Sequence, residues 1–163
     1  MTVTIDHIET YLQDHRGGAA FGSTLARRLQ EENDGTPYGD FLGRLAEEIE
    51  HDVAVLERIM ERFDVGKDKL KTAAGKAGEV LGRLKPNNAL ADYSPLSRVL
   101  EMEQLRAGIQ GKLAMWDALS EVAPFEERLD EDEIAGLVAR AETQLADLRR
   151  RHRRAAREAF VSD

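Results

Sequence analysis

The chain of 163 residues contains no cysteine. Disulfide bonds, thiolate metal sites and thiol nucleophiles are therefore excluded. A cysteine-free composition suits the reducing cytoplasm. The first residues also lack the basic and apolar regions of a secretory signal. From these two features we expect a cytoplasmic protein.

Long hydrophobic runs are also missing, since no apolar stretch approaches the roughly 20 residues that span a bilayer. Charged residues make up 33% of the chain, and the formal net charge is −8. A charge of this sign repels nucleic acid and anionic lipid, so we expect neither as a partner. The one dense basic run, residues 149–154, ends a predicted helix, where cations favour the negative pole of the helix dipole.

Motifs of nucleophilic and nucleotide chemistry are absent as well, because the sequence has no Gly-x-Ser-x-Gly and no phosphate-binding loop. Gly17, Gly18 and Gly22 lie within one helical pattern, and Gly108 and Gly111 lie within another. Small residues at these positions either let two helices approach closely or leave room for a ligand. The sequence leaves both interpretations open.

Helical patterns account for most of the chain. Apolar residues recur with a period of 3.6, as in Leu42, Leu45, Ile49 and Leu56, and no segment alternates with period two for long. Start signals frame four helices at about 4–32, 37–63, 95–122 and 130–160. These signals are Thr36-Pro37, Ser94-Pro95, and Asp130 with Glu133 three residues later.

The connections between the helices are unequal in length. The first and third are short turns, at residues 33–35 and around Pro124, so each joins antiparallel neighbours. The second spans about 30 residues and carries its own amphipathic pattern from Leu70 to Leu84. Short, long and short connections predict one domain over residues 1–163, an all-α up-down four-helix bundle with an extra helix in the crossover.

One motif in the second helix indicates a possible chemistry. Glu48 and His51 form an E-x-x-H pair, and residues three apart lie on the same side of a helix. With the helix order and the long crossover, this motif resembles the ferritin-like superfamily. The resemblance implies an iron or manganese site formed by Asp14, Glu48, His51 and Glu103, able to bind and reduce dioxygen or peroxide. The chain departs from the family pattern in the fourth helix, where Leu145 takes the position of a second histidine.

A helical projection at 100° per residue indicates a different set of buried polar groups. Glu48 lies about 90° from the centre of its apolar stripe and His51 about 150°, whereas His15, Asp52 and Lys112 lie close to stripe centres. An imidazole, a carboxylate and an ammonium in one layer would form a self-neutralising buried network.

This second set of residues gives an alternative function. It predicts a non-enzymatic structural or partner-binding bundle, in which a salt-bridge network replaces the metal site. The sequence leaves open whether the protein is an enzyme. In both cases we expect a homodimer, because long amphipathic helices leave apolar edges to cover.

Overall fold

The computed structural model describes residues 2–65 and 93–161. These residues form four α-helices, α1 (Ile5–Glu32), α2 (Gly39–Arg62), α3 (Pro95–Val122) and α4 (Glu131–Phe160), and a short 3-10 turn, Ala123–Phe125. They contain no strand. The prediction of an all-α bundle is confirmed, and each helix boundary lies within two residues of its predicted position. None of these helices combines the length and apolarity needed to cross a bilayer.

Two of the predicted helix starts are capped by side chains. The Ser94 hydroxyl accepts a hydrogen bond from the Ser97 backbone N–H at 3.1 Å, and the Ser94 backbone N–H donates to the Ser97 hydroxyl at 3.4 Å. The Asp130 carboxylate accepts from the Glu133 N–H at 2.9 Å. Both caps satisfy backbone donors that the first helical turn leaves without partners.

The start of α2 differs from the prediction. Thr36 and Pro37 belong to the preceding turn, because the Thr36 N–H and hydroxyl both donate to the Asn33 carbonyl, at 3.1 and 2.7 Å. The helix therefore begins two residues later than expected, at Gly39. Gly35 in the same turn has φ +70°, a conformation that favours glycine.

Contacts between the helices define their directions. The Arg16–Glu57 and Arg27–Glu50 ion pairs show that α1 and α2 are antiparallel. α1 is also antiparallel to α3, since its end meets the beginning of α3 through the hydrogen bond from Arg98 to Asn33. α2 and α3 therefore run in the same direction, so α3 starts at the opposite end of the bundle from the end of α2. The predicted crossover helix at about 70–84 lies outside the described residues.

The apolar stripes form a core in two clusters, one toward each end of the bundle. The first includes Leu12, Leu56 and Trp116. The second includes Leu29, Leu45, Met102, Ile109 and Leu148. Burying each large side chain contributes roughly 1.5–3 kcal/mol, so the stripes supply most of the driving force for packing. A layer of polar side chains on α2, α3 and α4 lies between the two clusters.

Candidate functional site

The polar layer is built around the carboxylate of Asp52, which is only 2% exposed. Lys112 on α3 donates from its Nζ to Asp52 Oδ2 at 2.5 Å and to Gln144 Oε1 at 2.5 Å. Arg140 on α4 donates from Nη1 to Asp52 Oδ1 at 2.9 Å. Both oxygens of the buried carboxylate therefore accept a hydrogen bond from a cation, as a charge removed from water requires.

Gln144 extends this layer toward solvent. Its Nε2 donates to Glu48 Oε2 at 3.0 Å and more weakly to Asp52 Oδ2 at 3.4 Å. Two cations, Lys112 and Arg140, thus lie beside two carboxylates, Asp52 and Glu48. These two pairs and Gln144 are the five residues of the polar layer. Its formal charges sum to zero, and it links three of the four helices.

Burial and charge act in opposite directions on Lys112. Desolvation lowers the pKa of its ammonium below the ordinary value of 10.5, and the neighbouring Asp52 carboxylate opposes that shift. The side chain of Lys112 is 15% exposed. The position of the Lys112 ammonium depends on the carboxylate and amide oxygens that accept its hydrogen bonds.

His15 lies on α1 at the same level of the bundle. Burial lowers the pKa of its imidazole below 6.5, and the nearby Asp14 carboxylate opposes the shift. The ring packs edge-on against Tyr11, with 4.6 Å between the ring centroids. A lowered pKa keeps this ring uncharged at neutral pH, so His15 adds no charge to the polar layer.

A cavity of about 240 Å³ adjoins the polar layer, and His15, Asp52 and Lys112 all contribute to its lining. The remaining lining is mostly apolar, including Trp116 and Met115. Two pairs of glycines complete it, Gly18 and Gly22 on α1 and Gly108 and Gly111 on α3. The cavity therefore has one charged, self-neutralised wall and several apolar ones.

The four predicted metal ligands lie outside the buried part of the bundle. Asp14, Glu48, His51 and Glu103 are all exposed. The Glu48 carboxylate accepts from Gln144, and Glu103 Oε1 lies 3.1 Å from Nε2 of His152. Within residues 2–65 and 93–161, no three His, Asp or Glu side chains are grouped so that they could hold a metal ion. The structure does not bring the predicted ligands together, because the buried arc of α2 is centred on its leucines and leaves Glu48 and His51 outside it.

Two members of the polar layer, Arg140 and Gln144, were not predicted from the sequence. A signal for Gln144 was present, since it lies seven residues after Leu137 and four before Leu148, both buried on α4. A glutamine on an apolar stripe needs a buried partner. Arg140 lies at the edge of that stripe, where its long side chain reaches inward while its own exposure stays at 35%.

Comparison with protein-family models, with curated proteins and with solved structures finds no match to the chain. The resemblance to the ferritin-like superfamily therefore stays a prediction. Function is therefore inferred from the contacts of the polar layer.

Proposed function

We propose that this protein is a non-catalytic binding bundle, in which the polar layer occupies the position that a metal centre holds in ferritin-like bundles. The proposal rests on one observation, the Lys112 ammonium 2.5 Å from both Asp52 and Gln144. An ammonium in that position supplies the positive charge that a bound cation would otherwise supply.

The charges around Asp52 support this interpretation. A metal cation binding at this carboxylate would have to displace Lys112 and would also be repelled by Arg140, whose Nη1 is 2.9 Å from Oδ1. Since Lys112 and Arg140 already pair with the carboxylate, the layer has no charge deficit for a metal to fill. A balanced ionic layer stabilises one arrangement of helices and leaves the adjoining surfaces available for a partner or ligand.

The test is metal analysis of protein expressed in medium supplemented with iron and manganese. We expect far less than one metal per chain by mass spectrometry, and the same melting temperature with Mn(II) or EDTA added. A ligand that binds only the folded state raises the melting temperature, so a resident metal would be detected by both measurements.

The same experiment tests the iron or manganese site that the resemblance implies at Asp14, Glu48, His51 and Glu103. Stoichiometric metal, lost in His51→Ala but kept in His7→Ala, would overturn the proposal. His7 is a suitable control because it is also exposed and lies on a different helix from the E-x-x-H pair.

A further inference from the structure

The face of α4 that points away from the core carries opposite charges at its two ends. At 100° per residue, five residues lie within about 25° of the line opposite the centre of the buried stripe of α4. They are Asp132 near the beginning of the helix, Ala139 and Ala146 in the middle, and Arg150 and Arg157 near the end. All five are exposed, and they form the outer face of α4.

The charges of the outer face are not neutralised strongly within the chain. Arg150 pairs with Asp147 one turn earlier, and this ion pair is exposed to solvent. Exposed ion pairs contribute little free energy, so Arg150 can exchange this partner for another. Asp132 and Arg157 form no ion pair with any other residue that the structure describes. Both ends of the face can therefore pair with groups outside the chain.

A second copy of the chain carries the complementary charges. If two α4 helices pack antiparallel about a two-fold axis, the acidic beginning of each lies opposite the arginines of the other, and every contact occurs twice. A parallel arrangement would instead place acid beside acid and arginine beside arginine, which is unfavourable. Asp132 and Arg150 lie about 27 Å apart along the helix, at 1.5 Å per residue, so they cannot pair within one chain.

The middle of the outer face permits the two helices to approach closely. With the two-fold axis midway between residues 139 and 146, Ala139 of one protomer lies opposite Ala146 of its partner. Two alanines allow the helix axes to come within about 8 Å, the short end of the range for packed helices. In this register Asp132 lies between the levels of Arg150 and Arg157 of the partner subunit, within reach of both long side chains. Close packing and charge pairing therefore require the same alignment.

We propose that two copies of the chain form an antiparallel dimer through the outer faces of their α4 helices. The exposed apolar residues Leu100 and Phe160 offer a different surface for association, at the end of the bundle where α3 begins and α4 ends. Charge complementarity favours the outer face of α4. This face lies away from the polar layer, so the dimer goes beyond the proposed function and does not depend on it.

Reciprocal charge reversal tests this interface by sedimentation of the full-length protein, with circular dichroism to confirm folding. We expect the wild type to be dimeric at about 100 µM. One variant carries Glu131→Lys and Asp132→Lys, and a second carries Arg150→Glu and Arg157→Glu. Each places like charges opposite each other, so the dissociation constant should rise about tenfold or more. A variant with all four changes exchanges the charges of the two ends and should dimerise as the wild type does.

Single substitutions at exposed positions provide a second test if a multiple variant folds poorly. Ala139→Gln holds the two helices apart and should weaken the dimer about tenfold, whereas Ala118→Gln on α3 should leave it unchanged. Arg44→Glu on α2 is the matched control for charge reversal and should also leave the dimer unchanged.

Salt separates the two candidate surfaces. Screening by about 0.5 M NaCl should weaken a dimer held by exposed charges. Several results would overturn the proposal: a monomer at about 1 mM, full dimerisation of either charge-reversed variant, failure of the four changes together to restore it, or undiminished dimerisation of Ala139→Gln. A dimer that salt strengthens and Leu100→Ser abolishes would place the interface at the apolar end of the bundle instead.

Discussion

Lys112→Met tests the energetic role of the polar layer. Methionine keeps most of the apolar stem but removes the ammonium that donates to Asp52 Oδ2 and Gln144 Oε1. Removing one partner of a buried ion pair costs roughly 3–5 kcal/mol. Here Arg140 remains at 2.9 Å from the carboxylate, and the desolvation cost of the ammonium is recovered. We therefore expect a loss of about 2 kcal/mol in the free energy of unfolding.

The assay is urea unfolding followed by circular dichroism, with Arg153→Met as a control at an exposed position of α4. An unchanged denaturant slope would show that stability changed and the extent of unfolding did not. A loss of about 2 kcal/mol corresponds to a decrease of about 4–8 °C in melting temperature for a chain of this size. If Lys112→Met and Arg153→Met have the same stability, the ammonium contributes nothing and the account of the polar layer fails.

The double variant Asp52→Asn with Lys112→Met separates two causes of that loss. If the cost arises from the stranded carboxylate, removing both charges should restore part of the stability, and the two changes should be strongly non-additive. Additive losses would indicate that the two residues act independently. The 2.5 Å distance between Lys112 Nζ and Asp52 Oδ2 predicts the opposite.

Three further predictions concern other parts of the structure. The His15 ring should titrate below pH 6.5 by NMR. Because the unfolded state is protonated first, the contribution of the neutral His15 ring to stability should be lost as the pH falls below 6.5. Titration of His15 at or above pH 6.5 would contradict its burial. Asp130→Ala should lower stability by about 1 kcal/mol in urea unfolding, since the Glu133 N–H loses its acceptor; Asp117→Ala, at an exposed position of α3, should change it less. Sedimentation should show a homodimer, as the long amphipathic helices predict, and a single monomeric species at high concentration would reject that expectation.

The helices were predictable because their signals are local. A stripe of apolar residues and a capping serine or aspartate act within one or two turns, so Ser94 and Asp130 were identified correctly from sequence. The start of α2 was predicted two residues too early because the hydroxyl and N–H of Thr36 can take part either in a helix cap or in a turn. The bonds from Thr36 to the Asn33 carbonyl, three residues earlier, close a turn before the helix, and the Thr36-Pro37 pattern alone does not distinguish such a turn from a helix cap.

The candidate site was only partly predictable because it depends on contacts between helices. Projection on single helices indicated Asp52 and Lys112, which the structure places in contact. It could not indicate Arg140, whose side chain reaches Asp52 from the edge of another helix. The E-x-x-H spacing specifies that Glu48 and His51 share one side of α2, but not that this side faces the core. The leucines of α2 determine that orientation.

The polar layer has a consequence for how the helices can be aligned along their length. Sliding α3 by one turn against α2, about 5.4 Å, would move the ammonium of Lys112 from Asp52 to the level of Ile49 or Leu56. Hydrophobic side chains tolerate such a slip, because one apolar surface replaces another. An unpaired buried charge does not, so the layer penalises shifted packings during folding more strongly than it strengthens the correct one.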